Sequence, residues 1–209
     1  MYTANNWDNS AYKGNNLANV AAYNWNKSNQ NTWSLSNLNK TNLNKNFIAN
    51  IGADWAAKIA DTTWKVGGNT WANIGTQPAK TAYQNEIVSP VTTNTTDNAT
   101  TYSAKVGLMY ASDYGFAAAP SAWTTILYNY DDATIINENW LYIGLCELTI
   151  SRRSDDSNLA FAVRDAGDRG GGAVDSSYGS AVRPSFSLLS SIKFTSGEGT
   201  AVNPIRIKL

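Results

Sequence analysis

Leu38, Leu43, Phe47, Ile48 and Ile51 recur at helical spacing, which predicts an amphipathic helix from about Ser36, an N-cap residue, to a stop at Gly52. Asp54 can cap a second, short helix in which Trp55 and Ile59 stand four apart. The run TTWKV (62–66) then changes to strand chemistry, and Gly67-Gly68 ends it. From Asn69 to Ser103 the Thr, Asn and Pro content predicts a long surface excursion. AKVGLMYAS (104–112) reads as a buried strand, and GFAAAPSAW (115–123) and NYDDATIINEN (129–139) as connections. The last third is strand and turn: WLYIGLCELTIS, LAFAVRD, AVRPSFSLLS, IKFTS and PIRIKL, separated by Gly and Ser clusters. Helices early and strands late predict an α+β chain rather than a doubly wound sheet.

Ahead of the first helix the pattern dissolves into polar residues. The first 50 positions hold 16 of the 26 asparagines, whose side chains favour turns and caps. Trp7, Tyr12, Leu17, Val20, Tyr23, Trp25 and Trp33 recur there, however, and disordered segments are poor in aromatics. Residues 1–33 are therefore expected to be an ordered, loop-rich part of one domain spanning 1–209.

Composition narrows the functions open to such a domain. Sixteen basic and sixteen acidic side chains cancel, leaving no field for a nucleic acid or an anionic membrane. With no histidine there is no Ser-His-Asp or Cys-His catalysis and no imidazole acid or base. A single cysteine, Cys146, excludes an intrachain disulfide and a thiolate cluster. Lying in an apolar run, it reads as a small buried hydrophobe rather than a nucleophile. No apolar run approaches the roughly 20 residues of a membrane span, and the N-terminus lacks a signal-peptide pattern.

Most candidate chemical motifs fail on inspection. Gly170-Gly171-Gly172 is not followed by Lys-Ser/Thr or a helix pattern, so a flexible hairpin loop is the better reading than a phosphate cradle. Asp155-Asp156 and Asp165 with Asp168 could pair as acid and base or bind calcium, but the EF-hand spacing is absent. Four nearby arginines can neutralise them instead. Asn-x-Ser/Thr sequons at Asn26, Asn39, Asn94 and Asn98 are expected in any chain this rich in Asn and Thr. No enzyme activity, metal or cofactor is indicated.

What stands out is how residue types are distributed. Lysines occupy positions 13 to 105 and then 193 and 208, whereas all arginines lie from Arg152 onward. Residues 148–192 contain no Lys, Glu, Gln, Met or Trp, although residues 1–147 carry 24 of these; at that rate about seven would be expected. These five are the amino acids that no codon ending in a pyrimidine encodes. A Gly- and Ser-rich region of β-hairpins would also need none of them.

The same segment carries a resemblance. W-L-Y, then L-T-I-S-x-x-S-x-x-S-x-x-A-F-x-V-x-x-x-G, then A-V-R-P-S-F-S-L and I-K-F-T-S-G-x-G-T-x-x-N-P resemble the C-terminal half of bacterial, phage and archaeal-virus proteins with a C-type lectin fold, among them the variable proteins of diversity-generating retroelements. LNKNFIANIGADWAAKIADTTWKVGG and KVGLMYASDYG are similar to the helical half and middle of that group. The resemblance covers the chain from about Ser34 onward and implies two helices in the first half and an antiparallel sheet in the second. In that family, adenine-directed mutagenesis of codons ending in a pyrimidine produces the fifteen-letter alphabet just described at scattered positions.

Carried over residue by residue, the resemblance makes Leu148, Thr149, Ile150, Ser151, Ala160, Phe161, Val163, Gly167, Val174, Val182, Arg183 and Pro184 framework. The diversified, ligand-binding positions are Arg152, Arg153, Asp155, Asp156, Leu159, Ala162, Arg164, Asp165, Asp168, Arg169, Asp175 and Tyr178, with Asn158 as an unmutated template residue. Leu148 departs from the family, where Trp is common, and the first 30 residues match no part of it. Formylglycine-generating enzymes share the fold, but their paired cysteines cannot come from one Cys.

Alternation in Ala160-Phe161-Ala162-Val163-Arg164 predicts Phe161 and Val163 on an inner face and Ala162 and Arg164 on an outer one. Arginine, aspartate and tyrosine on such a face suit geometry-specific recognition. The expected function is non-enzymatic binding of a macromolecular target, a protein on a cell or virus surface, with no nucleic acid partner and no membrane insertion. The alternative is a structural subunit of a virion or cell surface without a diversified ligand site. A calcium-dependent carbohydrate lectin would want an exposed Trp in the site, and no Trp follows position 140.

Overall fold

A computed structural model describes residues 25–26, 28–90, 99–174, 180–200 and 202–208. Helix and strand are mixed, as the α+β pattern predicts, but the strands form four small antiparallel sheets rather than one. Strand β1 (Thr62–Lys65) pairs with β2 (Thr101–Ala104), and β3 (Val106–Gly107) with β7 (Ser185–Phe186). The largest sheet orders β4 (Glu147–Arg152), β5 (Leu159–Val163) and β6 (Arg169–Ala173). A terminal hairpin joins β8 (Lys193–Ser196) to β9 (Arg206–Lys208).

The predicted first helix is present over Leu38–Phe47, wound in π fashion, and continues as an α-helix through Ile48–Asn50. Ser36 caps it: its backbone is extended, and its Oγ accepts the Asn39 N–H at 3.3 Å while donating to the Trp25 carbonyl. Gly52 stops it at φ 86°, where a side chain would be strained.

Other sequence expectations fail here. Gly52, not Asp54, holds the N-cap position of the short helix Ala53–Ala56, and Asp54 lies in its first turn. Ile59 lies beyond that helix, fully buried and bridged to Leu188, while Trp55 is exposed. The supposed excursion 69–103 contains helices Trp71–Gly75, Ala79–Tyr83 and Gln84–Val88, and it buries Ile74, Ala79 and Ala82. Helices also form over Ala111–Phe116 and Ala133–Glu138, the latter capped by Asp132. Two helices in the first half are thus too few. Short helices of four to six residues hold through tertiary packing, which local periodicity does not register.

Two clusters of buried apolar residues lie on opposite faces of the β4-β5-β6 sheet. Trp25, Trp33, Leu38, Leu43, Val106 and Leu108 pack with Ile150 and Ala160. Ile74, Ala79, Tyr114, Leu127 and Tyr130 pack with Phe161 and Val163. Consecutive Ala160 and Phe161 fall in different clusters, as period-two alternation demands. Both faces of this sheet are therefore covered, and its exposed surface is confined to its turns and the β6 edge.

Candidate functional site

Chain segments from the first third hold the turns of the 148–174 region in place. Trp25 donates through Nε1 to the Thr149 carbonyl, and the Asn26 N–H donates to the Val174 carbonyl. Asn31, 2% exposed, places its side-chain nitrogen within 2.7 to 2.9 Å of the carbonyls of Arg153, Asp156 and Leu159. One amide thereby closes the β4–β5 turn from within. Asn69 works beside it: its N–H donates to the Arg152 carbonyl, and its carbonyl accepts the Ser154 N–H.

That pairing delivers Trp71 to the sheet. Thr70 caps the helix Trp71–Gly75 by accepting the Asn73 N–H, and the Trp71 N–H donates to Asp155 Oδ2 at 3.1 Å. The indole lies against β6, where the absent side chain of Gly171 leaves room: a Cβ there would sit 3.3 Å from the ring. Gly170 likewise makes space for the stem of Arg164, whose Cγ would lie 2.9 Å from an added Cβ. The glycine run is thus the edge strand of the sheet, not the flexible hairpin loop that its composition suggests.

Around this scaffold the predicted residues sort by exposure. Arg153, Asp155, Asp156, Leu159 and Ala162 are half-buried, and Asn158, Arg164 and Asp165 are exposed. Arg153 forks onto Asp155 at 2.8 and 2.9 Å, and Arg164 pairs with Asp168 at 3.1 Å, so two arginines do neutralise two aspartates. The Arg153 hydrogen bond holds the Asp155 carboxyl below its ordinary range, whereas burial raises that of Asp168 despite Arg164.

Arg152, Asp168 and Arg169 are not on an exposed face. Arg152 is 2% exposed and donates through Nε to the Val66 carbonyl at 2.6 Å. The reason is that both faces of β4 are covered: Thr149 and Ser151 on one face are as buried as Ile150 and Arg152 on the other. Asp168 is 5% exposed beneath Arg164, and Arg169 is 1% exposed. The Arg169 guanidinium carbon lies 4.1 Å from the Trp71 ring centre and 5.0 Å from that of Phe161. Burial, and repulsion by Arg164 and Arg153, bring its pKa down to about 10. Asp175 and Tyr178 lie outside the described residues, as do Trp7, Tyr12, Leu17, Val20, Tyr23 and the sequons at Asn94 and Asn98.

The remaining predicted residues split between the two ends of the sheet. Arg153, Asp155, Asp156, Asn158 and Leu159 form the β4–β5 end, while Arg164, Asp165 and Asp168 form the β5–β6 turn. Five strand residues, about 16 Å, separate the two ends. Trp71 is the link between them, since the side chains of Arg153, at 5.3 Å, and Arg169 both reach its ring. Neither Trp71 nor Asn31 was marked by the sequence, because one lies in a supposed excursion and the other among many asparagines.

The framework positions behave more uniformly. Thr149, Ile150, Ser151, Ala160, Phe161, Val163, Gly167 and Val174 are buried, and Leu148, Val182, Arg183 and Pro184 half-buried. Arg183 pairs with Glu147, 1% exposed, at 2.8 Å and also donates to the Leu141 carbonyl. Cys146 is exposed, contrary to its apolar neighbours' suggestion, because it precedes β4. Asn26 and Asn39 are fully buried and hydrogen-bonded, so their sequons are closed to glycosylation in the folded chain.

No protein-family model, curated protein or solved structure matches this chain. Among the described residues no group of His, Cys, Asp and Glu could hold a metal ion, and no helix is long and apolar enough to cross a membrane.

Proposed function

We propose that this chain is a non-enzymatic binding protein that displays a diversified surface on a C-type lectin-like scaffold, for recognition of a protein target on a cell or virus surface. The observation that carries it is the restricted alphabet of residues 148–192, a segment that takes in nearly all of the β4-β5-β6 sheet with both of its turns and continues through β7. Positions assigned to the framework are buried or half-buried. Most described positions assigned to variation, Arg153, Asp155, Asp156, Asn158, Leu159, Ala162, Arg164 and Asp165, keep some solvent access. Substitution at the exposed ones, Asn158, Arg164 and Asp165, is cheap for stability, which is what a diversified surface needs. Arg152, Asp168 and Arg169 are withdrawn from the outward set.

The coding DNA tests this. A near-copy of the 148–192 coding segment close by, differing at adenines, is the expected finding. A genome with no such copy sinks the diversification.

A second reading, a structural subunit, is favoured by the β8–β9 hairpin. Phe194 is 64% exposed and Ile205 54%, large apolar side chains of the kind that subunit contacts cover. Sedimentation of the purified chain separates the readings: a stable oligomer that Phe194→Ser dissolves supports the subunit.

A further inference from the structure

Three guanidiniums, those of Arg153, Arg164 and Arg169, gather about the β6 edge. Asp155 takes the first at 2.8 Å and Asp168 the second at 3.1 Å. Arg169 has neither: among the described residues Nε, Nη1 and Nη2 are all buried and donate to no acceptor. Its planar faces are covered by Trp71 and Phe161, but stacking satisfies faces, not the N–H groups that radiate in the plane. A buried guanidinium left this way is among the costliest arrangements in a protein interior, so the missing acceptor is an observation that needs a cause.

Water could satisfy the donors but not the surplus charge. A carboxylate does both, accepting two parallel N–H bonds from the fork and pairing the third cation. The geometry points to the edge of Arg169 beside Trp71 as a subsite for one carboxylate, supplied by an acidic side chain of the target protein. A polyanion such as nucleic acid is disfavoured, because the chain's charges cancel and Asp168 acts on Arg169 from nearby. The way in is short: Trp71 is only half-buried, and Gly171 next to its ring is exposed. This inference rests on the binding reading for the identity of the partner, but its test does not.

The probe is a capped tripeptide with one central glutamate, compared with its glutamine counterpart and with inorganic phosphate. In the NMR spectrum of the full chain, the Arg169 Nε–H resonance should shift downfield, saturably, with the glutamate peptide, while that of exposed Arg206 stays put. Arg169→Lys, which keeps the charge and deletes that resonance, assigns the signal; Arg169→Met assigns it if the lysine variant does not fold. An unmoved Arg169 resonance, or an equal response to the glutamine peptide, overturns the subsite. An equal response to phosphate overturns its assignment to a carboxylate. A missing template copy in the genome would remove the diversification reading and leave this titration untouched.

Discussion

The guanidinium carbon of Arg169 sits 4.1 Å from the centre of the Trp71 ring, joining the last strand of the central sheet to a five-residue helix far away in the chain. The contact covers the faces of the guanidinium and leaves its N–H groups unbonded. Trp71 also donates its N–H to Asp155, which Arg153 grips bidentately, so one aromatic residue organises both ends of the sheet.

Arg169→Met should therefore leave stability unchanged or raise it by about 1 kcal/mol, since an apolar residue of similar length suits the slot between two rings. Trp71→Ala should cost about 2–3 kcal/mol, because it removes the ring that packs beside Gly171 and stacks on Arg169. Urea denaturation of the two variants checks both signs. A loss in Arg169→Met as large as that in Trp71→Ala would show that the cation holds the fold together.

Removing the Asn31 amide leaves the carbonyls of Arg153, Asp156 and Leu159 without their shared donor. Asn31→Ala should cost about 2–3 kcal/mol. Asn31→Asp should cost more, because a carboxylate would then face carbonyl oxygens. Hydrogen exchange should locate the damage at 153–159 before the rest of the sheet opens.

Glu86 is 2% exposed, and burial, opposed by hydrogen bonds from Ser112 and Ser151, raises its pKa from 4.5 to about 7. The native state then binds this proton more tightly than the unfolded one, so the Glu86 contribution to stability is most favourable below pH 4.5 and is lost as pH rises through about 7. The shift corresponds to about 3 kcal/mol. Glu86→Gln should remove this slope and be the more stable protein at pH 8, as thermal melts across pH 4.5 to 8 would reveal.

Glu147 behaves alike but has a partner. Burial raises its carboxyl, and Arg183 holds it down. Arg183→Met leaves a buried carboxylate unpaired at pH 8, with an expected loss of about 3 kcal/mol, but a smaller one at pH 5, where the group can protonate. Equal losses at both pH values would mean that Arg183 acts through packing and its bond to Leu141 alone.

Several of these features are legible in the sequence. Period-two alternation places Phe161 and Val163 in the core, Ser36 and Gly52 bound a helix, and β5, β8 and β9 fall within the runs LAFAVRD, IKFTS and PIRIKL. The apolar run through Leu148 and Ile150 marks β4 as covered on both faces, and Arg152 is buried with it. A charged side chain obscures that burial, because arginine is expected outside.

The sequence by itself determined the α+β class, the neutral charge, the lack of imidazole chemistry and the limits of the peculiar alphabet, since composition and local periodicity carry them. Only the tertiary structure decided that Asn31 closes the β4–β5 turn, that the glycine run is a strand making room for Trp71, and that Arg169 is buried without an acceptor. Those relationships join positions more than 90 residues apart, or set one asparagine apart from twenty-five others, and no local pattern registers which groups meet across a fold.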